Sequence, residues 1–271
     1  MSNTGKTRRG QPPSSRSPRE SGLWRAKEVS KKETMDAAWT TKRELCRSRS
    51  PERRMGVVAF SIFLGLTLTT SPSWAEPLTN VTFVAFDLET TGFSAEFDRI
   101  IEIGAVKFRN GKVLKSRGWL INPGVPITAD SQHIHGITEE MVADSPSFRE
   151  VFPQFADFIK GAVLLAHNAD FDVRFISAEL EKNNMSALEN IVLDALRLAR
   201  VWFPDAGSYN LESLVKYLGI PAGSFHRALA DSQYVTAIFL AGVRKLPPNA
   251  TLEALIKTAS APLKFGYPEA K

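Results

Sequence analysis

A chain of 271 residues with 43% hydrophobic and 10% aromatic residues can bury a full core, which excludes a fibrous or wholly disordered protein. Its formal charge of +5 comes from the N-terminus: residues 1–54 hold 15 of the 34 Lys and Arg but 6 of the 29 Asp and Glu, leaving a net −4 beyond them. That remainder offers no general basic groove, so phosphate chemistry would need a local site with metal ions, and the single cysteine, Cys46, excludes an intramolecular disulfide or a cysteine-rich zinc module.

Residues 1–54 are rich in Ser, Pro, Arg and Lys without a sustained apolar period, and are expected to be a disordered basic segment. The run Met55 to Thr70 carries no charge, follows Arg53 and Arg54, and leads to Ser73-Trp74-Ala75, a small-x-small cleavage pattern. Residues 55–75 thus read as a signal peptide or short anchor, which favours export to the periplasm or membrane anchoring. The alternatives are a buried helix, or upstream sequence from a misassigned start, with a cytoplasmic protein.

The pattern from about Leu78 is globular. Val81 to Leu88 is apolar on both faces, as a central strand should be. Ile100 to Phe108 and Val113 to Ile121 flank Asn110-Gly111, a strong hairpin signal that predicts two antiparallel strands. Phe148 to Phe158 reads as an amphipathic helix, Ala162 to Ala166 as a buried strand, Asp170 to Lys182 as a helix and Ile191 to Leu193 as the last strand. Helices are expected at Asp194 to Val201, Leu211 to Leu218 and Ala228 to Val243, with a short one at Leu252 to Thr258. These elements predict an α/β domain over residues 78–245, a mixed five-stranded sheet flanked by helices, with 246–271 as a short C-terminal extension.

Three acidic segments stand out. Asp87 and Glu89 end the first strand two residues apart, so both carboxylates share a face where open α/β sheets place ligands. A polar strand end meeting solvent is the plainer alternative. In His167-Asn168-Ala169-Asp170-Phe171-Asp172, helical spacing puts Asp172 on the buried side with Phe175 and Ile176, and Asp170 on the polar side as a helix cap. Asp231 likewise falls on the apolar stripe of Ala228, Val235 and Ile238, while His226 precedes that helix. Inward carboxylates are costly unless a cation or donor compensates them. Divalent cations would remove the repulsion of four converging carboxylates, and an all-oxygen donor set favours Mg²⁺ or Mn²⁺ over zinc. The implied chemistry is hydrolysis of a phosphodiester with two metal ions, His226 taking the proton from water.

Phe86-Asp87-Leu88-Glu89-Thr90-Thr91-Gly92, His167-Asn168-Ala169 with Phe171-Asp172, and His226-Arg227-Ala228-Leu229-Ala230-Asp231 resemble the three motifs of the DEDDh 3′ to 5′ exonucleases, the family of the proofreading epsilon subunit of the bacterial replicative polymerase. The resemblance implies a ribonuclease-H-like fold, with Asp87, Glu89, Asp172 and Asp231 as metal ligands and His226 as general base. Arg227 stands where the tyrosine sister group has its tyrosine. By the same analogy Leu88, Thr90, Thr91, Phe93, Asn168 and Phe171, with His135 and Ile137 of His135-Gly136-Ile137-Thr138, would meet the 3′-terminal nucleotide. The activity so implied is release of 5′-mononucleotides from the 3′ end of DNA, single strands favoured, with an exoribonuclease or a non-catalytic nucleic-acid-binding protein as alternatives. Because the chain stops soon after the last motif helix, stable docking to a polymerase is not expected, and the oligomeric state is left open.

Overall fold

The computed structural model describes residues 73–260 and 262–266; the expected basic segment and nearly all of the signal-like stretch lie outside them. β1 (Thr82–Thr90), β2 (Ile100–Arg109) and β3 (Lys112–Leu120) form an antiparallel meander. Asn110 and Gly111 both take positive φ, 48° and 72°, as the primed turns that suit strand twist require. β4 (Val163–Ala166) pairs parallel with β1, and β5 (Ile191–Asp194) parallel with β4. The expectation of five strands needs one addition. β6 (Leu263–Lys264) pairs antiparallel with Ile191 and Val192, giving the order β3-β2-β1-β4-β5-β6. A two-residue strand has no period to read; buried Phe265, 6.4 Å from Phe86, holds it in place.

The alternation of β1 divides the core. Val84, Phe86 and Leu88 face α3 (Phe148–Ile159) and α4 (Asp170–Lys182) in one apolar cluster. Phe83 and Ala85 face the opposite layer, built from α5 (Ala195–Trp202), α6 (Leu211–Tyr217), α7 (Ala228–Val243) and α8 (Leu252–Ala259). α8 and the segment before β1 are tied by Leu78 N–H to Ala250 O, Leu252 N–H to Glu76 O and Glu253 N–H to Trp74 O.

Two short helices have no counterpart in the sequence reading. α1 (Ala129–His135) is capped by the Thr128 side chain, which accepts from Ser131 N–H, and ends at Gly136 with φ 69°. α2 (Glu139–Val142) is capped by Thr138. Seven and four residues are too few to show a helical period, although the threonine caps and the terminal glycine were readable. These helices enclose a third cluster of Ile101, Ile127, Ile137 and Val142. Among the described residues no helix is long and apolar enough to cross a membrane.

Candidate active site

Strand period dictates that Asp87 and Glu89 project from β1 toward the α7 layer, on the side of Phe83 and Ala85. α7 approaches β2 and β1 closely there because β2 carries Gly104 opposite Asp87 in register; a Cβ at Gly104 would fall on the Ala228 backbone. The approach brings Asp231, in the first turn of α7, against the strand. Asp87, Glu89 and Asp231 each offer an oxygen, and the three oxygens lie within 4.8 Å of one another. Asp172 enters from the other layer, in the first turn of α4, 3% exposed.

The electrostatics are those of crowded, desolvated carboxylates. Burial, then the charges of Asp172, Glu89, Asp231 and Glu102, hold Asp87 well above the ordinary carboxylate range. Burial raises Glu89 to about 8, with Asp231, Glu102 and Asp172 adding and Arg227 opposing. Asp231 rises to about 6, chiefly by burial, while the His226 and Arg227 backbone N–H groups and the His226 charge hold it down. Asp172 is raised by burial against the pull of its own and the Leu88 backbone N–H groups. One oxygen of Asp231, Oδ2, accepts from His226 N–H at 2.9 Å; the other, Oδ1, is buried without a partner. A bare buried oxygen beside two more carboxylates is a donor set for a hard divalent cation.

The backbone turns through left-handed conformations at two of the motifs. Asn168 takes φ 65° between β4 and α4, and its N–H is held by Asp194 Oδ1 at 3.1 Å, the same oxygen that caps Leu196 N–H. His226 takes φ 59°, and its side chain is exposed. The cap expected of Asp170 is absent: Ala169 occupies the cap position, and Asp170 pairs with Arg174 at 3.1 Å in solvent. His167 is fixed by its Nε2 to Tyr209 O, 2.8 Å.

The residues expected to meet a terminal nucleotide divide by exposure. Phe93, 72% exposed, and Asn168 present free surface, and Phe171 is half-buried against Phe175 at 4.7 Å. Leu88 and Ile137 are packed in apolar clusters. Thr90 and Thr91 are buried and shape the following turn, Thr90 Oγ1 donating to Gly92 O and Thr91 Oγ1 to Asp98 Oδ1. His135 is buried; its Nδ1 accepts from Ile137 N–H at 3.0 Å, and burial lowers its basicity. Sequence reasoning missed Glu102, a buried carboxylate on β2 that bonds Arg227 and Ala228. It lies opposite Glu89 in the β1–β2 ladder, and its partner is 125 residues away.

The DNA polymerase III PolC-type of Caldanaerobacter subterraneus is 40% identical over 191 residues, 70% of this chain, and the chain spans 13% of that polymerase's length. The DNA polymerase III subunit epsilon of Treponema pallidum is 41% identical over 162 residues, 59% of this chain and 75% of that subunit. Among solved structures, exonuclease X in complex with 5′ overhanging duplex DNA covers 66% of this chain and 99% of its own at 26% identity and a TM-score of 0.53. Exonuclease I, at 21% identity and a TM-score of 0.57, shares the fold over 66% of this chain and 44% of its own. Residues 84–239 match the RNase_T model, described as Exonuclease, and the chain belongs to that family, a family of nucleases with the ribonuclease-H-like fold the motifs implied.

Proposed function

We propose that this nuclease removes 5′-mononucleotides from the 3′ end of DNA, with single strands preferred, using two Mg²⁺ or Mn²⁺ ions. The observation that carries the reading is the convergence of Asp87, Glu89 and Asp231, one oxygen of Asp231 being buried and unpartnered, with Asp172 beside them. Asp87, Glu89, Asp172 and Asp231 would hold the ions, which when bound supply Lewis acidity toward the scissile phosphate and lower the pKa of water. His226, exposed at the rim and held by its own N–H to Asp231, accepts the proton of the attacking water and passes it to solvent. Phe93 offers a ring face on which a terminal base can stack, and Asn168 offers a polar side chain to the sugar or phosphate. The PolC-type and epsilon relatives, and exonuclease X on DNA, favour DNA as the polymer.

End-labelled single-stranded DNA and RNA of matched sequence, incubated with the protein and Mg²⁺ or Mn²⁺, test this reading. A ladder shortening from the 3′ end of DNA is expected. Faster decay of RNA would make it an exoribonuclease, substrates bound but left uncut would make it a binding protein, and cutting of an added circular substrate would make it an endonuclease. We also propose that residues 55–75 direct export or anchoring. N-terminal sequencing after fractionation should find the mature chain starting after Ala75 or an uncleaved membrane-bound form; a soluble cytoplasmic product starting near Leu78 would overturn it.

A further inference from the structure

Glu102 stands apart from the four carboxylates assigned above. It is 5% exposed and lies opposite Glu89 across the β1–β2 ladder, where directly facing Cβ atoms are about 5 Å apart. Two buried carboxylates so placed repel, and the site tolerates the second only because its oxygens are fully engaged. Oε1 accepts from Arg227 Nη2 at 2.9 Å, and Oε2 accepts from Arg227 Nε at 3.2 Å and from the Ala228 backbone N–H at 2.9 Å. That last donor is one of the unpaired N–H groups of the first turn of α7, a helix whose own cap residue, Arg227, supplies no side-chain acceptor. A strand carboxylate therefore caps the helix from outside, where negative charge also suits the helix dipole. Two residues along the same face of β2, Gly104 leaves the space that lets Ala228 come this close. Immediately before the gripped segment stands His226 in its left-handed conformation, and three residues after Ala228 comes Asp231, which binds the His226 N–H.

Resting on the exonuclease reading, we infer that Glu102 is a positioning residue: it seats the first turn of α7 on β2 and so sets His226 and Asp231 against Asp87 and Glu89, without touching metal or substrate itself. Arg227 is the second half of the device, since its guanidinium closes the remaining lone pairs of Glu102 in a two-point pair that lysine could not reproduce.

The test uses Glu102→Ala and Glu102→Gln in the full chain, with kcat and KM on single-stranded DNA, Mn²⁺ titration, and hydrogen exchange of the α7 first-turn amides. Glu102→Ala should lower kcat by about 10- to 100-fold and, because Asp231 is displaced with the helix, weaken Mn²⁺ binding by no more than the same factor, while KM for DNA stays within about threefold of wild type. Amides of Ala228 to Asp231 should exchange faster. Glu102→Gln, which keeps an oxygen for the Ala228 N–H, should recover part of both losses and covers the case in which the alanine variant does not fold. Wild-type kcat in folded Glu102→Ala, or unchanged exchange, would overturn the inference; loss of Mn²⁺ affinity with unchanged exchange would make Glu102 a ligand instead. If the wild type cleaves neither DNA nor RNA, the exonuclease reading fails, and the exchange data still decide whether Glu102 seats the helix.

Discussion

β1 and the α7 helix packed on it run antiparallel, and each changes character from one end to the other. At the far end Phe83 of β1 and Phe239 of α7 lie 4.9 Å apart, with Phe108 and Trp202 closing an aromatic group. A cavity of about 320 Å³ opens beside them, lined by Leu78, Val243 and Pro247 among others. At the near end the same two elements bring Asp87, Glu89 and Asp231 together. The aromatic end gains by removing apolar area from water, about 25 cal/mol per Å². The acidic end loses by desolvating like charges. Packing along one half of the β1–α7 contact thus holds the other half in an arrangement it would not adopt alone, as functional sites commonly require.

The sharpest break of this contrast removes a charge from the acidic end. Asp87→Asn or Asp231→Asn should lower the rate by roughly a thousandfold, since a metal ion supplies several kcal/mol of transition-state stabilisation. In EDTA the same variants should melt no lower than wild type, because the removed charge was a repulsive one. Kinetics paired with thermal melts check both halves; variants that lose activity and melt far lower would give these carboxylates a structural role. His226→Ala comes next, with a loss of about a hundredfold or more and little change in Mn²⁺ affinity. A variant within threefold of wild type would leave proton removal to bulk water.

The two ends should also separate in their response to pH. Glu89, raised to about 8, and Asp231, raised to about 6, keep protons that the unfolded chain releases at the ordinary values of 4.5 and 3.8. Between about pH 4 and 8 the metal-free folded state therefore binds more protons than the unfolded state, and its stability falls as pH rises. The melting temperature in EDTA should be several degrees lower at pH 8 than at pH 5. Mn²⁺ competes for the ionised cluster and should flatten or reverse that slope. A melting temperature in EDTA that climbs toward pH 8 would mean the cluster ionises without cost.

What the sequence revealed follows from how local each signal is. Asp87 and Glu89 share a face by the period of a strand, and Asp172 and Asp231 fall on apolar helical stripes, so all four inward carboxylates were legible within their own elements. The hairpin at Asn110-Gly111 was legible for the same reason. Glu102 and its pairing with Arg227 were not, because nothing near Glu102 in sequence distinguishes it from a solvated strand residue; its meaning lies in a helix 125 residues on. β6 and the short helices α1 and α2 lacked the length to show a period, and Asp170 was misread because the left-handed Asn168 shifts the cap to Ala169.

The smallest expected effect tests whether the aromatic end can be disturbed without reaching the acidic one. Gly242, in the last turns of α7, is buried against Trp202, and a Cβ there would enter the indole ring. In Gly242→Ala two contributions oppose. Alanine favours the helix over glycine by about 1 kcal/mol. Forcing a methyl group into a packed site costs about 1–3 kcal/mol. Trp202 is 6% exposed and set edge-on to Phe239 at 5.7 Å, so its ring can yield only by disturbing a second aromatic. The crowding should therefore win by about 1 kcal/mol, a fall of a few degrees in melting temperature. Asp231 lies eleven residues up the helix, about 16 Å at 1.5 Å per residue, and Glu102 and Gly104 seat that end independently. The rate on single-stranded DNA should thus stay at the wild-type value. A matching fall in rate would show that α7 transmits a displacement along its whole length, and that the aromatic end sets the geometry of the site as well as its stability.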